Sequence, residues 1–577
     1  MAARAEPVTT LNMLKTTARF SCTLFPLAIV LAGCVRYASV PRGTLVHEAV
    51  TSYSNDSLKV NLHDFGRMRF ANGPLTAADK RLLRRVPRKE PVVRVLFTSQ
   101  NGVNTLPGHR LIGVVRTALP EHWQREYQAR AQPGQRSYYF RPLPGKQTDV
   151  FDCMVPNAPA DLELVLEVPH RDIGAFATTQ AYFLEEMDYL VRGLRTGAAY
   201  QRTAPTNPFA VLGEAFGAVE TTAGNYLSPV TQLRAAASNY AGPGEQGTFW
   251  QALSTAYAFV NEPDSAARYW RKLSGPAPPR ATGGIRPFEV SPATEAVLQQ
   301  TATAPFVLFN ESHVQPKGRY WLRSLLPALH RQGFRYLALE ALGEDTGLQR
   351  RGYPTLGSGF YLREPQLANL VRDALSLGFT VIPYDAMSAD REHDQAQNLL
   401  RRSRGQDPQA KVVALAGFGH IDESAGPRKS MAVWLKELSG VDPLTVNQTD
   451  LEALVSDTKQ EGVFFARETE QAPKIQRYMT NDLYVVNSIN IYDKGNGGPS
   501  DHPVDISVPA DSLVRGQAFA LLVYARTEYR AVPNPVPVWV RTGKEAHQRV
   551  CLRPGYYTVV AKASGGTVLW TSELTVP

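Results

Sequence analysis

Short apolar runs that alternate with amphipathic stretches dominate the middle of the chain. Four such runs are separated by stretches of helical periodicity, and they occupy residues 305–309, 334–340, 379–385 and 411–417. Uninterrupted apolar runs of this length are typical of strands that are buried in a parallel sheet. The pattern predicts an α/β domain, with a parallel-type sheet and flanking helices, at about residues 295–470.

Polar and ionisable residues follow each of the four predicted strands. They are Asn-Glu-Ser-His at 310–313, Glu340, Asp385, and Gly-Phe-Gly-His at 417–420. In an open α/β sheet, ligands bind at the carboxyl ends of the strands. Packing accounts for any one of these residues alone, but ionisable groups at the same end of four strands indicate a convergent site. The candidate catalytic residues are Glu311, His313, Glu340 and His420.

These motifs resemble those of one superfamily. Residues 309–313, Glu340 and residues 416–420 are similar to the pattern shared by ChaN-type haem-uptake lipoproteins, TraB/Tiki proteins and erythromycin esterases. Asn310 stands where glycine is usual in the first motif, and a left-handed turn is still expected there because asparagine tolerates that conformation. The Glu-x-His spacing is closer to the ChaN type, since erythromycin esterases place two residues between Glu and His.

The resemblance implies three kinds of chemistry. A Tiki-like site implies a divalent metal ion held by His313 and His420 with Glu340 or Glu311, which would polarise a carbonyl and acidify water. An erythromycin-esterase-like site implies that His313, oriented by Glu311 or Glu340, is a general base without a metal. A ChaN-like protein would bind haem or another ligand without turnover. Hydrolysis of an ester or peptide bond is the first expectation, with a metal somewhat favoured, and haem or ligand binding is the alternative.

Further site candidates lie in and after a long polar segment at residues 343–364. Loops of this length inside a compact domain are often lids or binding loops. Tyr361 in this loop, together with Arg391 and Glu392, is a candidate for cofactor binding. Arg391 and Glu392 begin a predicted helix, where acidic residues also suit the helix dipole, so a capping role and a site role are both open.

The regions on either side of the α/β domain have different patterns. Residues 34–205 indicate an α+β region of unknown type, with strands at 92–98 and 162–168 and an amphipathic helix at 173–194. Residues 206–290 indicate a helical segment and linker, in which residues 247–278 resemble one tetratricopeptide unit. Trp250 and Tyr257 are expected to pack in its core. The helical segment could scaffold the α/β domain or bind a protein partner.

The last part of the chain, residues 480–577, changes to short alternating strands. The strands are predicted at 519–525, 536–541, 555–562 and 567–576, and turn residues separate them. This pattern predicts a small antiparallel, β-sandwich-like domain.

The N-terminus resembles the signal of a bacterial lipoprotein. A short apolar run at residues 25–30 precedes Leu-Ala-Gly-Cys at 31–34, and it is too short to span a membrane. This pattern predicts a signal peptide at residues 1–33 and a lipid on Cys34. The protein would then be anchored in the bacterial cell envelope, outside the cytoplasm, facing the periplasm or in the outer membrane.

Composition limits the partners. The 577 residues carry a formal net charge of +9, but the basic residues are dispersed and not clustered. This distribution favours solubility or affinity for a membrane surface over nucleic-acid binding. The expected partners are a small-molecule or peptide substrate and the membrane. Cys153 and Cys551 lie far apart in the sequence, and nothing in it supports a disulfide between them.

Overall fold

A computed structural model describes the chain in segments, and all of them belong to one compact unit, residues 41–577. The described residues are 51–55, 59–64, 69–71, 75–86, 92–100, 110–116, 126–131, 136–156, 161–170, 178–196, 205–218, 223–240, 243–273, 289–386, 388, 390–424, 429–451, 461–467, 480–491, 502–513 and 516–577. The predicted signal peptide, Cys34 and residues 274–288 at the end of the predicted helical segment and linker lie outside these residues.

Two antiparallel sheets form the first part of the described chain. Their strands are β1 (Thr51–Asn55), β2 (Val60–Asp64), β3 (Arg69–Ala71), β4 (Val92–Gln100), β5 (Arg110–Arg116), β6 (Gln128–Arg130), β7 (Tyr138–Leu143), β8 (Thr148–Val155), β9 (Leu162–Pro169) and β10 (Leu194–Thr196). The sheet orders are β1-β2-β10 and β3-β4-β5-β9-β8-β7-β6. The strands predicted at 92–98 and 162–168 are therefore confirmed.

Two helices accompany these sheets, α1 (Ala77–Arg85) and α2 (Thr179–Gly193). The predicted apolar face of α2 is buried, and Phe183 stacks on Phe151 of β8 with ring centroids 4.3 Å apart. Thr178 caps α2 by accepting a hydrogen bond from the backbone N–H of Ala181. Burial of this face joins the helix to the sheet in one apolar cluster.

Four helices follow, α3 (Pro208–Phe216), α4 (Ser228–Ala235), α5 (Pro243–Phe259) and α6 (Pro263–Leu273). Helices α5 and α6 pack as a hairpin, and Tyr257 and Ala266 are buried in it. The expectation that Trp250 is a core residue was wrong: its side chain is only partly buried, and the Lys272 ammonium lies 5.5 Å from its ring. The hairpin itself is shown, while its relation to tetratricopeptide repeats stays a prediction.

The central sheet has eight strands. They are β11 (Glu289–Pro292), β12 (Phe306–Glu311), β13 (Phe334–Leu339), β14 (Thr380–Pro383), β15 (Lys411–Gly417), β16 (Leu444–Asn447), β17 (Val463–Arg467) and β18 (Leu483–Asn487). The order is β11-β17-β18-β16-β12-β15-β13-β14. The four strands predicted from apolar runs are β12 to β15, and they lie side by side and parallel. Strands β11 and β17 pair antiparallel, so the sheet is mixed.

Helices cover both faces of this sheet, as the apolar runs predicted. They are α7 (Thr294–Thr301), α8 (Lys317–Arg331), α9 (Leu348–Arg351), α10 (Pro365–Ser376), α11 (Arg391–Arg402) and α12 (Met431–Ser439). One face of β12 packs in a cluster with residues of α8 and α10, and the other in a cluster with residues of α11 and α12. The mixed α/β class is therefore shown, and the more specific ChaN-like or erythromycin-esterase-like fold stays a prediction.

The C-terminal part is antiparallel, as predicted. Its elements are β19 (His502–Ser507), β20 (Phe519–Ala525), α13 (Arg526–Ala531), β21 (Trp539–Gly543), β22 (His547–Leu552), β23 (Gly555–Ala563) and β24 (Val568–Val576). A sheet of order β21-β20-β23-β24 shares one apolar core with the β19-β22 ladder. Arg372 of α10 joins this part to the α/β part by donating to the Glu528 carboxylate at 2.6 and 2.8 Å.

Two further observations concern cysteines and membranes. Cys153 and Cys551 are both buried, and no disulfide joins them. Within the described segments, no helix combines the length and the apolar character that crossing a bilayer requires.

Candidate active site

The carboxyl ends of β12, β13 and β15 bring the predicted catalytic residues together. Glu311 ends β12 and pairs in register with Gly417, which ends β15. Glu340 directly follows β13, and its Oε2 accepts a hydrogen bond of 2.5 Å from the Gly417 N–H. The register of three parallel strands thus places Glu311, Glu340 and Gly417 at one edge of the sheet.

A buried chain of charged groups holds His313. Its Nδ1 lies 3.0 Å from Glu311 Oε1, and a carboxylate can only accept, so Nδ1 carries the proton of this bond. Arg319 of α8 donates to the same carboxylate from Nε at 2.5 Å and from Nη2 at 2.7 Å. Arg319 also donates to Glu364, the residue that caps α10. In a neutral His313 ring, Nε2 is then the free acceptor.

His420 belongs to a second group of charges. Its Nδ1 lies 2.7 Å from Glu392 Oε1, and its Nε2 lies 3.3 Å from Glu340 Oε1. Arg391 donates to Glu340 Oε1 at 2.7 Å and to Asp385 Oδ1 at 2.8 Å. Glu392 also accepts from the backbone N–H of Met431, which begins α12. Asp385, Arg391 and Glu392 therefore lie within the site, and Glu392 binds His420 and is not a solvated cap.

Glu340 and Gly417 connect the two groups. A Cβ added at Gly417 would lie 2.8 Å from His313 Nε2 and 3.1 Å from Glu340 Oε2. Both atoms therefore lie close against Gly417, and the other oxygen of Glu340 contacts His420. Glu311, His313, Glu340 and His420 thus converge as predicted. The space beside His313 Nε2 requires a residue without a side chain at position 417.

Aromatic rings enclose His313. The Tyr361 ring stacks on it at a centroid distance of 4.2 Å, and the Phe418 ring meets it edge-on at 5.4 Å. Trp270 of α6 stacks on Phe418 at 5.2 Å, so the helical hairpin reaches the site. Tyr361 is 1% exposed, and its hydroxyl has no hydrogen-bond partner among the described residues.

The pKa shifts follow from burial and from these ion pairs. Burial opposes ionisation of Glu340, but His420, His313 and Arg391 outweigh it and hold the pKa of Glu340 well below its usual range. Burial likewise disfavours a charged His420, yet the carboxylates of Glu340 and Glu392 raise the pKa of His420 to about 10. At neutral pH, His420 is therefore an imidazolium beside the Arg391 guanidinium.

The same balance applies around His313. Burial opposes ionisation of Glu311, but Arg319 and His313 keep the pKa of its carboxyl below the ordinary value. Burial raises the pKa of Glu364 in spite of its contact with Arg319. A charged Glu311 favours the proton on Nδ1 of His313, which leaves Nε2 free to accept.

Two of the three residues predicted as metal ligands, Glu340 and His420, lie next to another cation, the Arg391 guanidinium. Arg391 Nη2 donates to Glu340 Oε1, and Arg391 Nη1 lies 3.3 Å from His420 Nε2. Among the described residues, no group of three His, Cys, Asp or Glu side chains is arranged to hold a metal ion. The metal site of His313, Glu340 and His420 that the resemblance implied therefore stays a prediction.

The structure corrects one local expectation and adds residues that the sequence pattern did not indicate. Asn310 does not form a left-handed turn: it lies in β12, and its side chain donates to Phe418 O and Thr449 Oγ1. The positive φ occurs at Phe418, at 36°. Arg319 and Glu364 were missed, because a charged residue in an amphipathic helix or at a helix start is usually solvated.

Comparisons with known proteins leave the family open. No protein-family model matches the chain, and no curated protein matches it. Among solved structures, the chain is similar to the type III effector HopBA1, with 14% identity, 37% of this chain and 100% of that chain covered, and a TM-score of 0.24. It is also similar to the C-terminal region of Pasteurella multocida toxin, described as having a thiol-protease-like catalytic triad. That match has 10% identity, covers 69% of this chain and 59% of that chain, and has a TM-score of 0.21.

Proposed function

We propose that the protein is a hydrolase in which His313 is a general base that activates water against an ester or peptide bond. The observation that supports this most is the orientation of His313. Its Nδ1 is bound to Glu311, Glu311 is held by the buried Arg319, and Nε2 lies beside Gly417 without a hydrogen-bond partner among the described residues. A base whose second nitrogen is fixed by a carboxylate is the arrangement used to activate nucleophiles.

The proposed reaction needs only water as a co-reactant. The water oxygen attacks the carbonyl carbon while one of its protons passes to His313 Nε2. The tetrahedral oxyanion then collapses, the bond to the leaving group breaks, and the His313 imidazolium returns the proton to that group. The products are a carboxylic acid and an alcohol or amine.

Two positively charged groups, Arg391 and His420, contact Glu340. Their positive charge would stabilise the oxyanion that develops during the attack by water. Arg391 and the protonated His420 are fixed by Glu340, Asp385 and Glu392, so they require little reorganisation when charge forms. The Tyr361 ring stacks against His313, and its buried hydroxyl has no partner among the described residues, so the hydroxyl is our candidate donor to the substrate. These three groups are our candidates for stabilising the oxyanion.

The other readings of the resemblance are alternative proposals. A metal held by His313, Glu340 and His420 would require Arg391 to leave and His420 to lose its proton. Haem binding through His313 or Tyr361 would require these stacked rings to separate. We retain the proposal of a lipid-anchored protein of the bacterial cell envelope, which rests on the motif that ends at Cys34.

One sample tests the three readings together. Purified protein is assayed at neutral pH on p-nitrophenyl esters and on a mixture of peptides, and its metal content and optical spectrum are measured. The proposal predicts hydrolysis without stoichiometric metal and without a Soret band. A stoichiometric metal needed for turnover would favour the Tiki-like reading, and a Soret band without turnover would favour the haem-binding one.

A further inference from the structure

A second cleft lies between the α/β part and the C-terminal β part, and none of the residues of the histidine site lines it. Its cavity volume is about 120 Å³. Helices α8 and α10 contribute Arg323 and Gln366, and the C-terminal strands contribute Trp539, Leu552 and Tyr557. Ligand pockets are found preferentially at such junctions between layers of a protein.

Two buried polar groups in this cleft lack partners. Gln366 is 6% exposed, and its Oε1 is buried without a hydrogen bond to any described residue. Trp539 is 7% exposed, and its indole Nε1 is likewise buried without a hydrogen bond to any described residue. Buried polar groups are nearly always satisfied, so an acceptor and a donor left over in one cleft point to something that binds there.

Arg323 supplies an available charge. Its Nε donates to Asp373 Oδ2 at 2.6 Å, but its two Nη groups make no hydrogen bond with the described part of the chain. The same Asp373 carboxylate already accepts two hydrogen bonds from Arg553, at 2.8 and 2.7 Å. One carboxylate thus faces two guanidinium groups, and the cleft favours a negatively charged guest.

The lining also includes apolar side chains, together with the polar Asn369 and the Arg372 guanidinium. Trp539, Leu552 and Ile491 present ring and aliphatic surface beside the polar groups. A mostly apolar wall with a few fixed polar groups is typical of sites for small organic molecules, whereas a site for inorganic ions has mainly charged walls.

We propose that this cleft binds a small organic carboxylate with an aromatic body. Its carboxylate binds the Nη groups of Arg323, its ring packs against Trp539 and Leu552, and a hydroxyl donor on the ring satisfies Gln366 Oε1. The Trp539 N–H donates to an oxygen of the ligand. This site is separate from the proposed hydrolase site and does not depend on it.

Isothermal titration with 6-hydroxy-2-naphthoate tests the proposal, and 6-hydroxy-2-naphthamide serves as the neutral probe. We expect the carboxylate to bind with a dissociation constant of about 10 μM and the amide to bind at least about tenfold more weakly, as loss of a charged contact implies. Gln366→Met and Trp539→Phe remove one polar group each and keep most of the packing. Each should weaken binding of the carboxylate about tenfold.

Controls separate binding from folding. Gln299→Met changes an exposed glutamine of α7 in the same way and should bind like the wild type. Arg323→Met should abolish binding yet fold, because Arg553 still pairs with Asp373, and thermal melts verify the folding. The proposal is overturned if the carboxylate does not bind at millimolar concentration, if the amide binds equally well, or if none of the folded variants weakens binding.

Discussion

The Nδ1 of His313 lies 3.0 Å from Oε1 of Glu311, two residues before it in the chain. This short-range pair leaves Nε2 of His313 directed towards Gly417. The pair is rigid because Arg319, which is fully buried, donates to both oxygens of Glu311. The local sequence Glu-Ser-His thus provides both the base and the group that orients it.

Gly417 is the most direct test of the space beside this base. A methyl group at position 417 would come within 2.7 Å of the His313 ring, closer than non-bonded carbon atoms approach. We expect Gly417→Ala to displace His313 and to lower kcat/KM for the hydrolysed ester about 100-fold, as small misplacements of catalytic groups do. Gly419→Ala is the matched control, since nothing lies within 4 Å of a Cβ there, and it should keep its activity. Equal activities of the two variants would contradict this account of the site.

The Tyr361 hydroxyl should act in turnover and not in folding. Because it has no partner among the described residues, Tyr361→Phe should keep or raise the free energy of unfolding. If the hydroxyl donates to the oxyanion, kcat should fall about 100-fold with little change in KM. Tyr226 is an equally buried tyrosine whose hydroxyl donates to Arg363 O at 2.8 Å. Tyr226→Phe should therefore lose about 1 kcal/mol of stability and keep its activity, and the reverse pattern in the two variants would refute the role of Tyr361.

Protonation of His420 should make stability depend on pH. Its pKa rises from an ordinary 6.5 to about 10 in the folded state, so its stabilising contribution is complete below pH 6.5. Between these values the folded state holds a proton that the unfolded state lacks, and the contribution is lost as the pH rises towards 10. Denaturant titrations from pH 6 to 10 should show this decline in the wild type and a weaker one in His420→Gln. An exposed histidine, His547, provides the control, because His547→Gln should decline like the wild type.

The anchor prediction concerns a residue outside the described part of the chain. If Leu-Ala-Gly-Cys is a lipoprotein signal, cells fed a labelled fatty acid should label the wild-type protein, and Cys34→Ser should remain an unlabelled precursor. Cys22→Ser alters a different cysteine, which lies within the predicted signal peptide, and should leave the fatty-acid labelling unchanged. Equal label in the wild type and in Cys34→Ser would exclude the anchor.

The central strands and four site residues could be predicted from the sequence, because the patterns that indicate them lie within short stretches of the chain. Apolar runs predicted β12 to β15, and parallel strands place their carboxyl ends at one edge, so Glu311, Glu340 and His420 had to meet. Arg319 could not be found in this way. A lone arginine in an amphipathic helix is usually solvated, and its burial depends on Glu364 from a different helix.

Contacts between distant segments were also beyond the sequence pattern. Trp270 was assigned to a helical hairpin, but its stacking on Phe418 depends on how that hairpin packs against the sheet. The positive φ of Phe418 was likewise unexpected, because phenylalanine seldom adopts that conformation and nothing in its neighbours signals it. Strand β22 was missed because its alternation includes His547, Gln548 and Arg549, which weaken the apolar pattern.

The central claim is that His313 is a general base that works without a metal. The measurement that tests it most directly is kcat/KM for ester hydrolysis by protein treated with EDTA, compared between the wild type and His313→Gln. The account predicts that the treated wild type keeps its activity and that the folded variant loses about 100- to 10,000-fold, the usual contribution of general-base catalysis. Loss of wild-type activity that added zinc restores, or equal rates for the two proteins, would contradict it.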